Sequence, residues 1–334
     1  MAVSAPTVAD QHADRSVGWF VAIAAAILLA ARLAGVTDFP AAQTFTIIFT
    51  AIVVEALPFV LLGALASATI EVYVSDDALS RITRLPSALQ LPAAAVGGFA
   101  FPVCECGSVP VARRLIRRGM HPSAGIAFML ASPVFNPIVL LSTWVAYSPR
   151  GFGTQMVAGR ALLGLLVALI AGWTLGSDGI EKLLRSDVEG RSPGGEPVAG
   201  VARLRDLFTH LTGDFFFMGK FLIVGAALSA GFQTLLPQSL VSGVARTVVV
   251  GTLALMAIAF ISSLCSEADA FVAVSFSQFA LGSQLAFLLF GPILDFKLTF
   301  LYGAAFTRRF IVVLALVVIP VIVAASLFFE VLVR

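Results

Sequence analysis

Charge is scarce in this chain. Asp, Glu, Lys and Arg make up 12% of its 334 residues and hydrophobic residues 59%, whereas a soluble domain is about a quarter charged. That shortage excludes an ordinary soluble globular fold. Histidine and cysteine are rare too, with three copies each. Three thiols, Cys104, Cys106 and Cys265, are too few and odd in number for a disulfide framework. No Walker A lysine motif and no dinucleotide fingerprint occurs, so no nucleotide site is expected. A formal net charge of +2 is no footprint for nucleic acid. Neither a nucleic-acid partner nor a cofactor is called for.

What the chain has instead is apolar length. Runs of about 20 apolar residues, enough to cross about 30 Å of hydrocarbon, fall at roughly 17–36, 43–74, 88–104, 123–147, 152–176, 207–236, 241–264, 268–290 (continuing to about 303) and 306–332. The expectation is an all-α, polytopic integral membrane protein of about 8–10 transmembrane helices. Residues 1–16 are polar and expected to be disordered, and 17–40 to form an extra, retained N-terminal transmembrane helix. The polar stretch at 177–205 mixes Gly, Pro and charge, and reads as a cytoplasmic linker between two membrane halves, 41–176 and 206–334. Arg113, Arg114, Arg117 and Arg118 form the densest basic cluster, which the positive-inside bias also places on the cytoplasmic side.

The halves read as copies. Shifted by 159 residues, IAFMLASPVFN (126–136) lies over LAFLLFGPILD (285–295) without a gap, and Cys106 meets Cys265. Three residues of slippage bring FVLLGALASA (59–68) over FLIVGAALSA (221–230). Internal repeats with interrupted helices are how secondary transporters build a site between their halves. Spacing leaves two arrangements open. Four crossings between equivalent points make the repeats parallel, while a re-entrant Cys-Glu-Cys turn makes them inverted.

Four constellations carry candidate chemistry. In FPVCECGSVP (101–110), Pro102 and Pro110 lack a backbone donor and Gly107 permits a tight turn, so a helix break lining a polar path is expected. Cys104 and Cys106 then stand close together. With Cys265 they are candidate metal or soft-ion ligands, suited to Cu(I), Zn(II) or trivalent arsenic. The plain alternative is cysteine as a small core residue. In SSLCSEADAFVAVSF (262–276), Glu267 and Asp269 follow Cys265 at once. Carboxylates inside a membrane mark a substrate or proton path; in a short aqueous loop they mark nothing.

ASPVFNP (131–137) and FGPILDFK (290–297) each set proline and a polar side chain, Asn136 or Asp295, into an apolar run. Either these are half-helix ends at a cavity, or proline kinks whose polar group bonds to backbone. Lys297 either pairs with Asp295 or snorkels along the helix. Glu55 lies mid-span, Asp214 and Lys220 occupy similar ground in the second half, and Arg160 is the expected partner of Glu55. Substrate binding is thus assigned to Cys104, Glu105, Cys106, Cys265, Asn136 and Asp295. A proton or ion pathway is assigned to Glu55, Glu267, Asp269 and Lys297.

The stretch FPVCECGSVPVARRLIRRGMHPSAGIAFMLASPVFNPIVLLSTW, with CSEADAFVA and GPILDFK in the second half, resembles the signature of the DUF318 or UPF0718 family, which includes YraQ-type and ArsP-type permeases. The resemblance spans most of 43–332. It implies a bacterial inner-membrane permease, and in some members export of trivalent organoarsenicals through cysteines. By motif it carries Cys104, Cys106 and Cys265 over as soft ligands, and Asn136, Asp269 and Asp295 as polar pathway residues. The family pattern has a small polar residue such as Ser where this chain has Glu105, whose hard oxygen favours a divalent metal over an arsenical.

The leading expectation is therefore a multi-pass permease of the inner membrane, not an enzyme, moving a small thiol-binding solute outward. Its partners would be the lipid bilayer, that solute, and either a second copy or a separate membrane subunit. Two other readings stay open: a permease of the same fold for an unrelated solute with structural cysteines, and a membrane thiol-redox protein.

Overall fold

A computed structural model of the chain describes residues 40–73, 86–100, 103–176, 201–235 and 247–333. Residues 1–39, which hold the expected disordered segment and first helix, lie outside the described residues, as do Pro102, 177–200 of the expected linker and 241–246 of an expected span. Among the described residues every regular element is a helix. In chain order they are α1 (Pro40–Tyr73), α2 (Ser87–Ala100), α3 (Glu105–Arg117), α4 (Pro122–Ala131), α5 (Pro137–Tyr147), α6 (Gly153–Gly176), α7 (Val201–Leu235), α8 (Val248–Ser262), α9 (Asp269–Ala273), α10 (Leu281–Phe290), α11 (Phe296–Ala305) and α12 (Arg308–Val333).

The chain divides into two units, Met1–Ile48 and Phe49–Arg334. Of the first, the described part is the opening of α1, where the hydroxyls of Thr44 and Thr46 donate back to the carbonyls of Pro40 and Ala42. Such back-bonding satisfies a polar side chain inside an apolar helix. The rest of the fold concerns the second unit.

Among the described residues four helices, α1, α6, α7 and α12, are long and apolar enough to cross a bilayer. The protein is a multi-pass membrane protein. Large apolar side chains such as Leu162, Trp173, Leu316 and Phe328 point outward, as helices surrounded by hydrocarbon require. Shorter apolar helices, among them α4 and α10 with 10 residues each, reach only about 15 Å at 1.5 Å per residue.

Register along α6 shows how the short pieces fill a full thickness. Going down α6 from its C-terminus, Gly176 packs on Ser123, Gly172 on Ala127, Gly164 on Val134 and Gly153 on Trp144. Partner numbers rise as α6 numbers fall, so α4 and α5 run end to end as one broken span antiparallel to α6. Along α12, Gly282 packs on Ser326 while Tyr302 and Phe306 stack near Phe310. α10 and α11 therefore form a second broken span, antiparallel to α12. Gly159 meets Leu285 and Gly164 meets Leu289, so α6 and α10 run the same way. It follows that the two broken spans, α4–α5 and α10–α11, run in opposite directions. The phenol of Tyr147 donates to Gln284 at 2.9 Å, joining the end of one to the start of the other.

Local chemistry explains the breaks. Pro133 and Pro137 flank the first, and Gly291 with Pro292 opens the second. Each restart is capped by its own polar residue. Asn136 accepts from the N–H of Ile138 at 2.9 Å, and Asp295 from that of Leu298 at 2.6 Å. These satisfy donors that a helix start leaves orphaned.

Two expectations need correction. The apolar run 268–290 is not one span: α9 is five residues long, and a series of turns through Ser275 and Ser277 separates it from α10. The Ser275 hydroxyl there donates to the Val272 carbonyl at 2.6 Å, which competes with helix continuation and is invisible to averaged hydropathy. And α7 begins at Val201, inside the stretch read as linker.

Candidate functional site

The beginning of α3, the loop between α8 and α9, and the break between α10 and α11 meet in one buried place. Cys104 is the N-cap of α3, and Glu105 is its first residue. Gly107 and Pro110 lie inside α3 rather than forming the expected tight turn and stop. Gly107 serves close approach instead, because a Cβ there would meet the Gly63 Cα of α1 at 2.8 Å. Pro110 has no N–H, so the carbonyl of Cys106, one turn earlier, loses its helical donor.

Lys297 is the centre of this place, at 1% exposure. Its ammonium lies 2.8 Å from Glu105 Oε1 and 3.7 Å from Asp295 Oδ2. It donates to the carbonyls of Ser263 and Leu264 at 3.1 and 3.2 Å, and stands 3.9 Å from Cys265 Sγ. The other Glu105 oxygen accepts from Ser266 Oγ at 3.0 Å. Asp295 thus caps α11 with one oxygen and faces Lys297 with the other. On the far side of Lys297, Gly225 of α7 is so close that its Cβ would lie 2.5 Å from the lysine Cα.

A second ion pair braces the same loop. Arg160 of α6, fully buried, donates to both oxygens of Asp269 at 2.8 and 2.7 Å. It also reaches Thr143 Oγ1 at 2.9 Å and the Ser266 carbonyl at 3.2 Å. Bidentate geometry is the strong form of this contact. Arg160 does not pair with Glu55, as was expected. The partner residues are distant in sequence, and no periodicity signals such a contact.

The three cysteines are free thiols and buried. Cys104 and Cys106 share a side-chain hydrogen bond, and Cys106 and Cys265 both lie within electrostatic reach of Lys297. Among the described residues no three His, Cys, Asp or Glu side chains gather closely enough to hold a metal ion; the space between the acids and the thiol is filled by the lysine. Glu55, partly buried on α1, feels the charges of Lys297 and Glu105. Glu267 is partly buried, and its Oε2 has no hydrogen-bond partner among the described residues. Asn136 is buried, and its oxygen is engaged as the α5 cap. Replacing Asn136 with Ala is expected to lower stability by about 1 kcal/mol. Thermal unfolding of purified protein checks this, with Asn136→Ser keeping a capping oxygen and most of the stability.

Sequence reasoning missed a third cluster. Arg114 of α3 pairs with Asp214 of α7 at 3.1 Å and with Glu71 of α1 at 3.5 Å. Arg118 pairs with Glu71 at 3.6 Å and donates to the carbonyls of Ile70 and Glu71. Half of the basic cluster thus ties three helices together, beyond any role in topology. A signal was present: Glu71 ends an apolar run just where basic partners were needed.

Comparison with known proteins agrees with this architecture. A family model described as "Predicted permease" matches residues 41–331. UPF0718 protein YcgR of Bacillus subtilis (strain 168) is 39% identical over 282 residues, covering 84% of this chain and 95% of that protein. A protein of Streptococcus mutans serotype c, described as a candidate subunit of a two-component membrane permease complex, is 32% identical over 266 residues, covering 79% of this chain and 87% of that one. No solved structure matches.

Proposed function

This chain belongs to the predicted-permease (UPF0718) family, a transporter family rather than an enzyme family, and we propose that it moves a small thiol-binding solute out across the bacterial inner membrane. The solute class is a trivalent (organo)arsenical or a soft transition-metal species. One observation carries this reading. All three cysteines of the chain are free, buried, and set around the same Glu105–Lys297–Asp295 cluster. Thiolates prefer soft ions, and buried acids between helices are expensive even when paired, so they mark a path by default. Glu55 and Glu267 are the pathway groups with room to act, since Asp269 has both oxygens on Arg160.

The repeat belongs to this reading. A shift of 159 residues carries α4 onto α10 end to end, and the Asn136 cap onto the Asp295 cap. Because the two broken spans run in opposite directions, we take the halves as inverted copies, with the solute site between them. The name of the Streptococcus mutans relative supports a second membrane subunit as partner.

The test is a resistance and uptake screen in a sensitised bacterial host, with arsenite, methylarsenite, and zinc, copper and cobalt salts. Expression should protect against at least one of these, and Cys104→Ser with Cys106→Ser should remove the protection by about tenfold or more in tolerated dose, the scale of one lost strong ligand at about 1.4 kcal/mol. Cysteine variants that keep full transport, while Asp295→Asn loses it, would instead mark a permease for an unrelated solute.

A further inference from the structure

The partners of the Lys297 ammonium are those of a cation-binding site. Two backbone carbonyls, those of Ser263 and Leu264, converge on it at 3.1 and 3.2 Å. Two carboxylates, Glu105 and Asp295, flank it at 2.8 and 3.7 Å, and the thiol of Cys265 stands at 3.9 Å. Glu105 Oε1 and Asp295 Oδ2 are buried, and among the described residues the ammonium is the partner they face.

The carbonyls are aimed by a strained turn. α8 ends at Ser263 with φ 47° and ψ 45°, the left-handed region, and Ser263 is the one non-glycine residue with positive φ among the described residues. Such a conformation is costly for a residue that carries a Cβ and persists only where the surroundings hold it. Here it brings the two carbonyls that follow the helix, those of Ser263 and Leu264, onto a positive charge.

We propose that Lys297 is a tethered cation occupying the site of a cationic solute, which enters by displacing it. This rests on the thiol-solute reading above and narrows it to a positively charged species. Counted as ionised, the two carboxylates outweigh the single ammonium, so a divalent ion in its place is neutralised by the same pair. The displaced ammonium has a destination. Glu267 lies in the same loop, within electrostatic reach of Lys297 and Glu105, and holds one buried oxygen without a hydrogen-bond partner among the described residues. A four-carbon lysine stem can swing between acceptors in a way a rigid guanidinium cannot. With the lysine seated, the empty protein carries its own positive charge at the site, and solute and lysine compete for it.

The experiment is cadmium binding to the purified full-length chain in detergent, followed by the thiolate-to-cadmium charge-transfer band. Lys297→Met should bind Cd²⁺ about tenfold or more tightly than wild type, and Lys297→Arg no more tightly than wild type. Lys297→Met leaves two buried acids without a cation and risks misfolding. Lys297→Gln, which is neutral but keeps a hydrogen-bond donor for the buried acids and leaves both carboxylates in place, should also bind more tightly. Equal or weaker binding in the folded Lys297→Gln protein, alongside clear binding by wild type, would overturn the tethered cation alone. No band in any of these proteins would count against the thiol-solute reading, and this inference would fall with it.

Discussion

Arg160→Met is expected to destabilise the protein by about 3–5 kcal/mol, the typical penalty for removing one partner of a buried ion pair. The guanidinium is fully buried, and four of its contacts end on three elements: Asp269 twice, the Ser266 carbonyl and Thr143. Methionine fills much of the space but leaves the Asp269 carboxylate without a cation where water does not reach. Asp269→Asn should be similarly harmful, because it strands the guanidinium. Removing both charges at once should recover most of the loss, since a buried pair replaced by apolar groups is often neutral or better. Thermal unfolding in detergent of the two single variants and the double variant forms the cycle. A single variant within about 1 kcal/mol of wild type would show that Arg160 does not brace the loop. Because Arg160 stands on α6 and Asp269 on α9, the loss should also loosen the joint between the first and second halves.

Gly225→Ala is the second large effect, and its sign runs against helix propensity. Alanine is the better helix former by about 1 kcal/mol, so in α7 an unobstructed Gly→Ala change should stabilise. At Gly219 and Gly213 a Cβ meets nothing within 4 Å, and alanine there is expected to be neutral or stabilising. At Gly225 the Cβ would lie 2.5 Å from Lys297 Cα and 2.8 Å from its Cβ. That contact is with backbone, so α7 or α11 must move, at about 1–3 kcal/mol for overpacking. Lys297 moves with α11, so transport should fall further than stability. Parallel melting curves and transport assays on the three alanine variants decide this. A stable, fully active Gly225→Ala protein would mean that α7 and α11 separate freely.

Much of this architecture was legible in the residues themselves. The scarcity of charge and the length of apolar runs led directly to a membrane protein. Proline and glycine marked both breaks, and Asn136 and Asp295 marked both restarts, because capping is chemistry between near neighbours. Legibility failed where the deciding partner was far along the chain. Pro110 looked like a helix stop, yet it is held inside α3 by packing against α1 and α11. Arg160 was matched to Glu55 because both are lone charges in apolar runs, and the true partner, Asp269, opens the short helix α9 that hydropathy had merged into a longer span. Arg114 and Arg118 were assigned to topology alone, while their ion pairs depend on how α1, α3 and α7 come together.

By itself, then, the sequence determined the solvent the chain lives in, the two breaks marked by Pro133 and Pro292, and the fact that every thiol stands within two residues of an acid. Each of these follows from local composition, through hydrophobic transfer and backbone donors that are present or missing. Tertiary structure alone decided that the two broken spans run in opposite directions and that one lysine sits among two carboxylates, two carbonyls and a thiol. Those are matters of distance in space. In a medium of low dielectric a charge settles on whichever partner folding brings within a few ångströms, and spacing along the chain does not encode that choice.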